Sequence, residues 1–235
     1  QNRAYSSVAA SSKRACSGVE TMKYALLTTL TLTTACLLSG CVTSTVDEMI
    51  YNEPVEGIGE SSVVILGRRH SSNYETEPDF VLCVGEHITS YDNSITVIGE
   101  LEFINALYPW FEPRTAPLHP EGLEQLVLQE PVAKKIADLK LEYIIWLDGS
   151  TERSGGSGSM ACSLGGCFGF GTWAHDANYE ATIWDFSDRA AVGHISTSAS
   201  GQSYMPAVIV PIPIIAPVQG TACDGVGDQL LEFLS

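Results

Sequence analysis

Residues 25 to 38 form an apolar run, diluted with Thr, that carries no charge. As a helix this run is about 21 Å long, short of the roughly 30 Å hydrocarbon core of a bilayer. Met22-Lys23 in front of it supplies a start and one positive charge. Length, charge and position fit the core of a secretory leader better than a membrane-spanning helix. They also fit it better than a buried core helix that ends in an ordinary Cys. The run therefore fixes which part of the chain is left to fold: the residues after position 40. Residues 1–21 are polar, basic and Ser-rich, stand outside the leader pattern, and read as a non-native upstream extension.

The leader, residues 22–40, runs into Leu38-Ser39-Gly40-Cys41. This stretch resembles a bacterial lipobox: Leu three positions before the Cys, two small residues, then the Cys. The resemblance implies cleavage before Cys41 and a lipid-modified cysteine, with a thioether-linked diacylglycerol and an acylated amine. At roughly 0.8 kcal/mol per buried methylene, several acyl chains make release from a membrane negligible. Val42 rather than Asp follows the Cys, which resembles the pattern sorted to the outer membrane, with the protein facing the periplasm. Residues 41–60, acidic and containing Pro54, Gly57 and Gly59, read as a mobile tether.

Removal of the leader leaves 8 of the 12 Lys and Arg and 27 of the 28 Asp and Glu, a formal net charge of −19. Nucleic acid is excluded as a partner, because phosphate contacts need clustered Lys and Arg, and the basic clusters here are only Arg68-Arg69 and Lys134-Lys135. Cys83, Cys162, Cys167 and Cys223 remain besides Cys41, an even number suited to an oxidising compartment. Cys162 and Cys167 bracket a Ser-Leu-Gly-Gly turn, which leaves Cys83 to pair with Cys223 across the domain.

Residues 61–235 are long enough for one domain with its own core. Ser62 to Leu66 and Leu141 to Leu147 read as buried strands, and Ile95 to Ile98 as another. Pro78-Asp79 opens a helix. Glu100 and Glu102 begin a second, with Leu101, Ile104 and Leu107 on one face. Further helical segments start near Pro120 and Pro131. Thr151 to Ser159 is Ser/Gly-rich and reads as a flexible loop. Strands are expected at Cys167 to Trp173, Tyr179 to Phe186 and Ala191 to Ser198, the last two forming a hairpin over Ser187-Asp188-Arg189. Asp224 to Leu234 closes the chain as an amphipathic helix. This order predicts an α+β fold: a mixed β-sheet with helices packed on it, in a single domain after the signal peptide and tether. Over residues 61–234 the order resembles the periplasmic module of curli-secretion and penicillin-binding-protein-activator lipoproteins and of the Tol propeller protein's N-terminal domain. The Tyr-Pro-Trp-Phe-Glu-Pro-Arg stretch resembles one seen in uncharacterised bacterial lipoproteins.

No catalytic motif emerges. Gly155-Gly156-Ser157-Gly158 is followed by Ser159, not by the Gly of a nucleophile elbow. Cys162, Cys167, His175 and Asp176 have the residue types of a zinc site, but the spacing favours a disulfide, so no metal and no cofactor is assigned. The glycines at 165, 166, 169 and 171 lack the Lys of a phosphate loop. Two stretches stand out as binding candidates. Tyr108 to Pro117 offers Tyr108, Trp110, Phe111 and Arg114, the residue types of interface hot spots, on a Pro-stiffened backbone. Met205 to Pro217 is apolar and Pro-rich, and is expected to pack under the sheet, the alternative being an exposed patch for a partner or lipid. The sequence reads as a non-enzymatic, lipid-anchored interaction or assembly module of the envelope, held at the membrane through its N-terminal lipid. Its rivals are an envelope hydrolase with dispersed catalytic residues and a subunit of a secretion complex. The latter needs long amphipathic hairpins, and none is evident in the sequence.

Overall fold

A computed structural model describes residues 42–50, 58–70, 73–74, 76–112 and 114–235. The leader, Cys41 and residues 51–57 of the expected tether lie outside the described residues. The strands are β1 (Val42–Ile50), β2 (Ser62–Gly67), β3 (Arg69–His70), β4 (Asn73–Tyr74), β5 (Thr96–Ile98), β6 (Leu141–Ser163), β7 (Gly166–Asp185) and β8 (Ala190–Pro211). The helices are α1 (Pro78–Tyr91), α2 (Glu100–Ala106), α3 (Leu123–Val127, after a 3-10 turn at Pro120–Gly122), α4 (Glu130–Asp138) and α5 (Val218–Leu234). A mixed sheet of six strands in the order β1-β8-β7-β6-β2-β5 carries helices on both faces, so the α+β expectation holds.

Local chemistry explains the elements. α1 begins on Pro78, whose missing N–H costs nothing in a first turn, with Asp79 beside the positive helix end. At its far end Asp92 accepts hydrogen bonds from the Ser94 N–H (2.8 Å) and hydroxyl (2.6 Å), and these bonds hold its carboxyl below the usual carboxylate range. α2 starts on Glu100 and Glu102, and its last carbonyls receive the Lys135 ammonium at Ala106. α5 buries Val218, Ala222, Val226 and Leu230, a stripe with helical spacing.

β2 and the first part of β6, Leu141 to Leu147, read as apolar runs because both of their faces are covered. On β6, Tyr143, Ile145 and Leu147 enter the core under α1 and α5, while Ile144 and Trp146 enter the core under α2, α3 and α4. On β2, Val63 and Ile65 take the first side, Val64 and Leu66 the second. Cys83 and Cys223 join α1 to α5 across 140 residues of sequence, and Cys162 and Cys167 close the β6–β7 turn.

Three expectations are corrected. Thr151 to Ser159 is not a loop but the middle of β6, paired with β7 down to Ser163↔Gly166. Its Ser and Gly side chains resemble a linker in composition, yet the ladder uses only backbone. The two strands foreseen within 167–186 are one, so β6, β7 and β8 of 23, 20 and 22 residues are the long hairpins that the sequence did not disclose. Finally, the first part of the expected tether is β1, paired antiparallel with β8 from Val42↔Gly201 to Ile50↔Gly193. Val42, Val46 and Ile50 pack against the first core, which is why the strand stays on the sheet.

Candidate functional site

The unequal strand lengths create the most distinctive surface. β2 stops opposite Leu147, and β1 begins opposite Gly201. Beyond those points β6, β7 and β8 continue as a three-stranded arm, held at a bulge between Ser154 and Ser157 and stapled at its end by Cys162–Cys167. β8 runs about 33 Å past Gly201, taking ~3.3 Å per residue. The chain then turns back, and Ile212 to Ile214 lies against Pro206 and Tyr204, on the same edge that β1 occupies lower down. Gly201 marks the junction. A Cβ there would fall 2.7 Å from Ala216 Cβ and 3.1 Å from Val42 Cγ2, so only Gly lets β1, β8 and the return segment meet.

The arm carries no charge. Residues 154–174 and 190–223 contain no Asp, Glu, Lys or Arg, in a chain whose net charge is −16. Cross-strand register places Phe168 beside Val208 and Phe170 beside Pro206 on one face, where Phe170 also meets the Tyr204 ring at 6.0 Å. Met160, Met205 and Ile209 lie on the other face. At the turn Leu164 is fully exposed, and Phe168, Val208, Val210, Ile212 and Ile215 are all more than half exposed. Met205 to Pro217 therefore does not pack under the sheet as expected. Only Ala207 and Ala216 of that stretch are buried, and the alternative of an exposed patch is what the fold contains.

The arm's base is polar and tightly fixed. The Tyr179 hydroxyl lies 3.0 Å from Glu77 Oε2 and 2.8 Å from Thr151 Oγ1, and receives the Gln219 amide at 3.3 Å. Glu77 Oε1 accepts the Thr151 N–H at 2.8 Å. Burial pushes the Tyr179 phenol up to about 12; the Thr151 and Gln219 bonds pull the other way, and the Glu77 charge adds to the rise. Arg153, the last charge before the arm, sits over the buried Trp173 ring at 4.5 Å.

The remaining sequence candidates fall elsewhere. Phe111 is interior, edge-on to Phe103 at 4.9 Å, and so is not available to a partner. Trp110 is half-buried beneath Lys135, whereas Tyr108 and Arg114 are exposed. The loop is braced by Thr115, whose hydroxyl donates to the Pro109 carbonyl and accepts the Glu112 N–H, both at 3.0 Å. Cys162 and Cys167 are bonded to each other and so are not metal ligands beside His175. Ser203 and His175 do meet, at 3.0 Å, but Ser203 is fully buried and its oxygen already accepts the Ala216 N–H at 3.0 Å. That pair pins the return segment, while Asp176 bonds Ser154 instead. Likewise His87 lies between Asp224 (3.4 Å) and Asp228 (2.9 Å) and ties α1 to α5 beside the Cys83–Cys223 bond.

The sequence reading missed an apolar groove of about 460 Å³ between α1 and α2 at the free edge of β5, where Leu82 and Leu101 flank Val97. Leu82 and Leu101 are both exposed at its rim. Among the described residues, no helix is long and apolar enough to cross a membrane.

No family model matches the chain. No curated protein matches it either. Solved structures do show a loose likeness. The PelC dodecamer from Paraburkholderia phytofirmans is 9% identical with a TM-score of 0.41, covering 82% of this chain and 99% of that one. Lipoprotein GNA1162 from Neisseria meningitidis is 9% identical with a TM-score of 0.33, covering 73% of this chain and 99% of that one. At this level the likeness says nothing of partner, substrate or assembly.

Proposed function

We propose that the chain is a lipid-anchored envelope protein whose folded unit is an interaction and assembly module, held at the periplasmic face of the outer membrane through Cys41. The observation that carries this reading is the register of β1. Val42, one peptide bond after Cys41, is already paired with Gly201, so a lipid on Cys41 would be joined to the sheet through a single peptide bond. Anchoring of this kind fixes an orientation as well as a location. Cys83–Cys223 and Cys162–Cys167 suit the oxidising side of a membrane. The groove beside β5 and the exposed Tyr108 and Arg114 are surfaces for a protein partner.

The test is metabolic labelling with a fatty acid. The parent incorporates label, and Cys41→Ser loses it and accumulates as precursor in the membrane fraction. Label retained by Cys41→Ser removes the anchor and, with it, the envelope assignment. Co-purification of the parent and of Leu82→Asp then tests the groove, with loss of a partner expected for the variant.

A second reading, a subunit of a secretion or assembly complex, draws on one observation. Past Leu147, β6 has β7 as its only strand partner among the described residues, an edge able to accept a neighbouring copy. Light scattering of the detergent-solubilised protein separates the two: one copy per particle supports the first, a particle of several copies the second.

A further inference from the structure

Resting on the lipid-anchor reading, we infer that the three-stranded arm is itself a membrane-contacting element, and that its occupant is the acyl and glycerol zone of the bilayer. β1 runs antiparallel to β8, so its N-terminal end points along the arm, toward the turn at Leu164. The residue preceding Val42 is the lipid-bearing cysteine. The arm continues about 33 Å beyond that point in the same direction, a distance comparable to the ~30 Å hydrocarbon thickness. A sheet anchored there cannot hold its arm far from the bilayer.

The chemistry of the arm matches that position. A strongly acidic protein is repelled by anionic headgroups, yet 154–174 and 190–223 carry no charge at all. Phe168, Val208, Val210 and Ile212, together with Leu164 at the turn, are exposed on it. Ser157, Ser159 and Ser163 line its β6 side. That side also limits depth. From residue 152 onward β6 pairs, among the described residues, only with β7, so one rim of its backbone N–H and C=O groups has no strand beside it. Such groups are costly in hydrocarbon without partners. A single arm therefore lies along the interface, apolar residues inward and the β6 rim toward the headgroups, and does not cross.

All the described elements and both disulfides lie within residues 42–235, so this part carries the whole fold and is free of both leader and lipid. The experiment is flotation of chain 42–235 with phosphatidylcholine vesicles and with vesicles containing phosphatidylglycerol, at low and high salt. The variants are Leu164→Asp and Phe168→Asp with Val208→Asp, checked for an unchanged melting temperature; Leu118→Asp, on the exposed surface of the body, is the control. We expect the parent and Leu118→Asp to float with both vesicle types at either salt, and each arm variant to partition at least tenfold more weakly. A parent that does not float, or arm variants that float as well as the parent, overturns the inference. A parent that instead forms arm-dependent oligomers in solution and ignores vesicles also overturns it, with a second copy as the occupant. Fatty-acid labelling at Cys41 is scored separately, so loss of the anchor and loss of arm binding are distinguishable.

Discussion

β6, β7 and β8 pass through two environments, and the same three strands behave differently in each. In the body, Ile144, Ile145, Ile183 and Ile195 are completely buried between helices. In the arm, Phe168 and Val208 face each other across the same ladder and are each more than half exposed. The body follows the rule that apolar residues on a sheet meet another layer. The arm departs from it while also shedding every charge, and that combination separates a surface made for contact from one made for solubility. The difference lies in strand length: the ladder runs on past the helices that cover it in the body.

This contrast predicts a graded set of effects on stability. The largest is loss of the Cys83–Cys223 bond. Closing so long a loop is worth about 5 kcal/mol in the chain-entropy model, so Cys83→Ser with Cys223→Ser should leave the domain largely unfolded in urea titrations. The Cys162–Cys167 bond closes a far shorter loop outside both cores, so Cys162→Ser with Cys167→Ser should cost about 2 kcal/mol or less. Between these two, Ile145→Ala should cost about 3 to 4 kcal/mol by cavity formation, whereas Val208→Ala should stay within about 0.5 kcal/mol. Comparable losses at the two sites would mean that the arm is packed.

Tyr179→Phe tests the joint between the regions. It removes the hydroxyl shared by Glu77, Thr151 and Gln219 and should cost about 1.5 kcal/mol near neutral pH. The folded phenol titrates at about 12, above the unfolded value near 10. The neutral form is thus favoured by folding, and its contribution is complete below pH ~10 and lost as the pH rises toward 12. Denaturation of parent and variant at several alkaline pH values should show the gap closing over that window.

The smallest effect concerns Glu48 on β1. Partial burial, and then the Glu232 charge, raise its carboxyl pKa. The protonated form is favoured in the fold, so its penalty appears as the pH rises past the ordinary carboxylate range. Glu48→Gln should stabilise the fold at pH 7 by roughly 0.5 kcal/mol or less because the side chain is largely exposed, seen as a slightly higher melting temperature, and should make no difference well below pH 4. An unchanged melting temperature at pH 7 would mean that β1 sits more loosely on the sheet.

Much of the body was legible in the sequence. Runs such as Ser62 to Leu66 and Leu141 to Leu147 declare buried strands, Pro78 and Pro131 declare helix starts, and the cysteine spacing gave both disulfides. The arm was not legible, because Ser/Gly composition describes linkers and edge-exposed strands equally well. Its pairing with β7 is a register property that local composition does not encode. One signal was available, the absence of charge across 154–174 and 190–223. β1 was missed for a related reason: its inward residues, Val42, Val46 and Ile50, are separated by Thr, Asp and Glu that look like tether. Phe111 could not be told from its surface neighbours, since aromatic hot spots and aromatic core residues share a composition.

The central claim is that the arm end of the sheet faces the bilayer and the opposite end does not. Leu164 and Asp188 lie in the two successive hairpin turns, at opposite ends of β7. Lipidated protein carrying Leu164→Trp or Asp188→Trp, reconstituted in bilayers with brominated acyl chains, reads that orientation directly. After subtraction of the parent's fluorescence, the tryptophan at 164 should be strongly quenched and that at 188 unaffected. Equal quenching at both turns, or none at 164, would contradict the account.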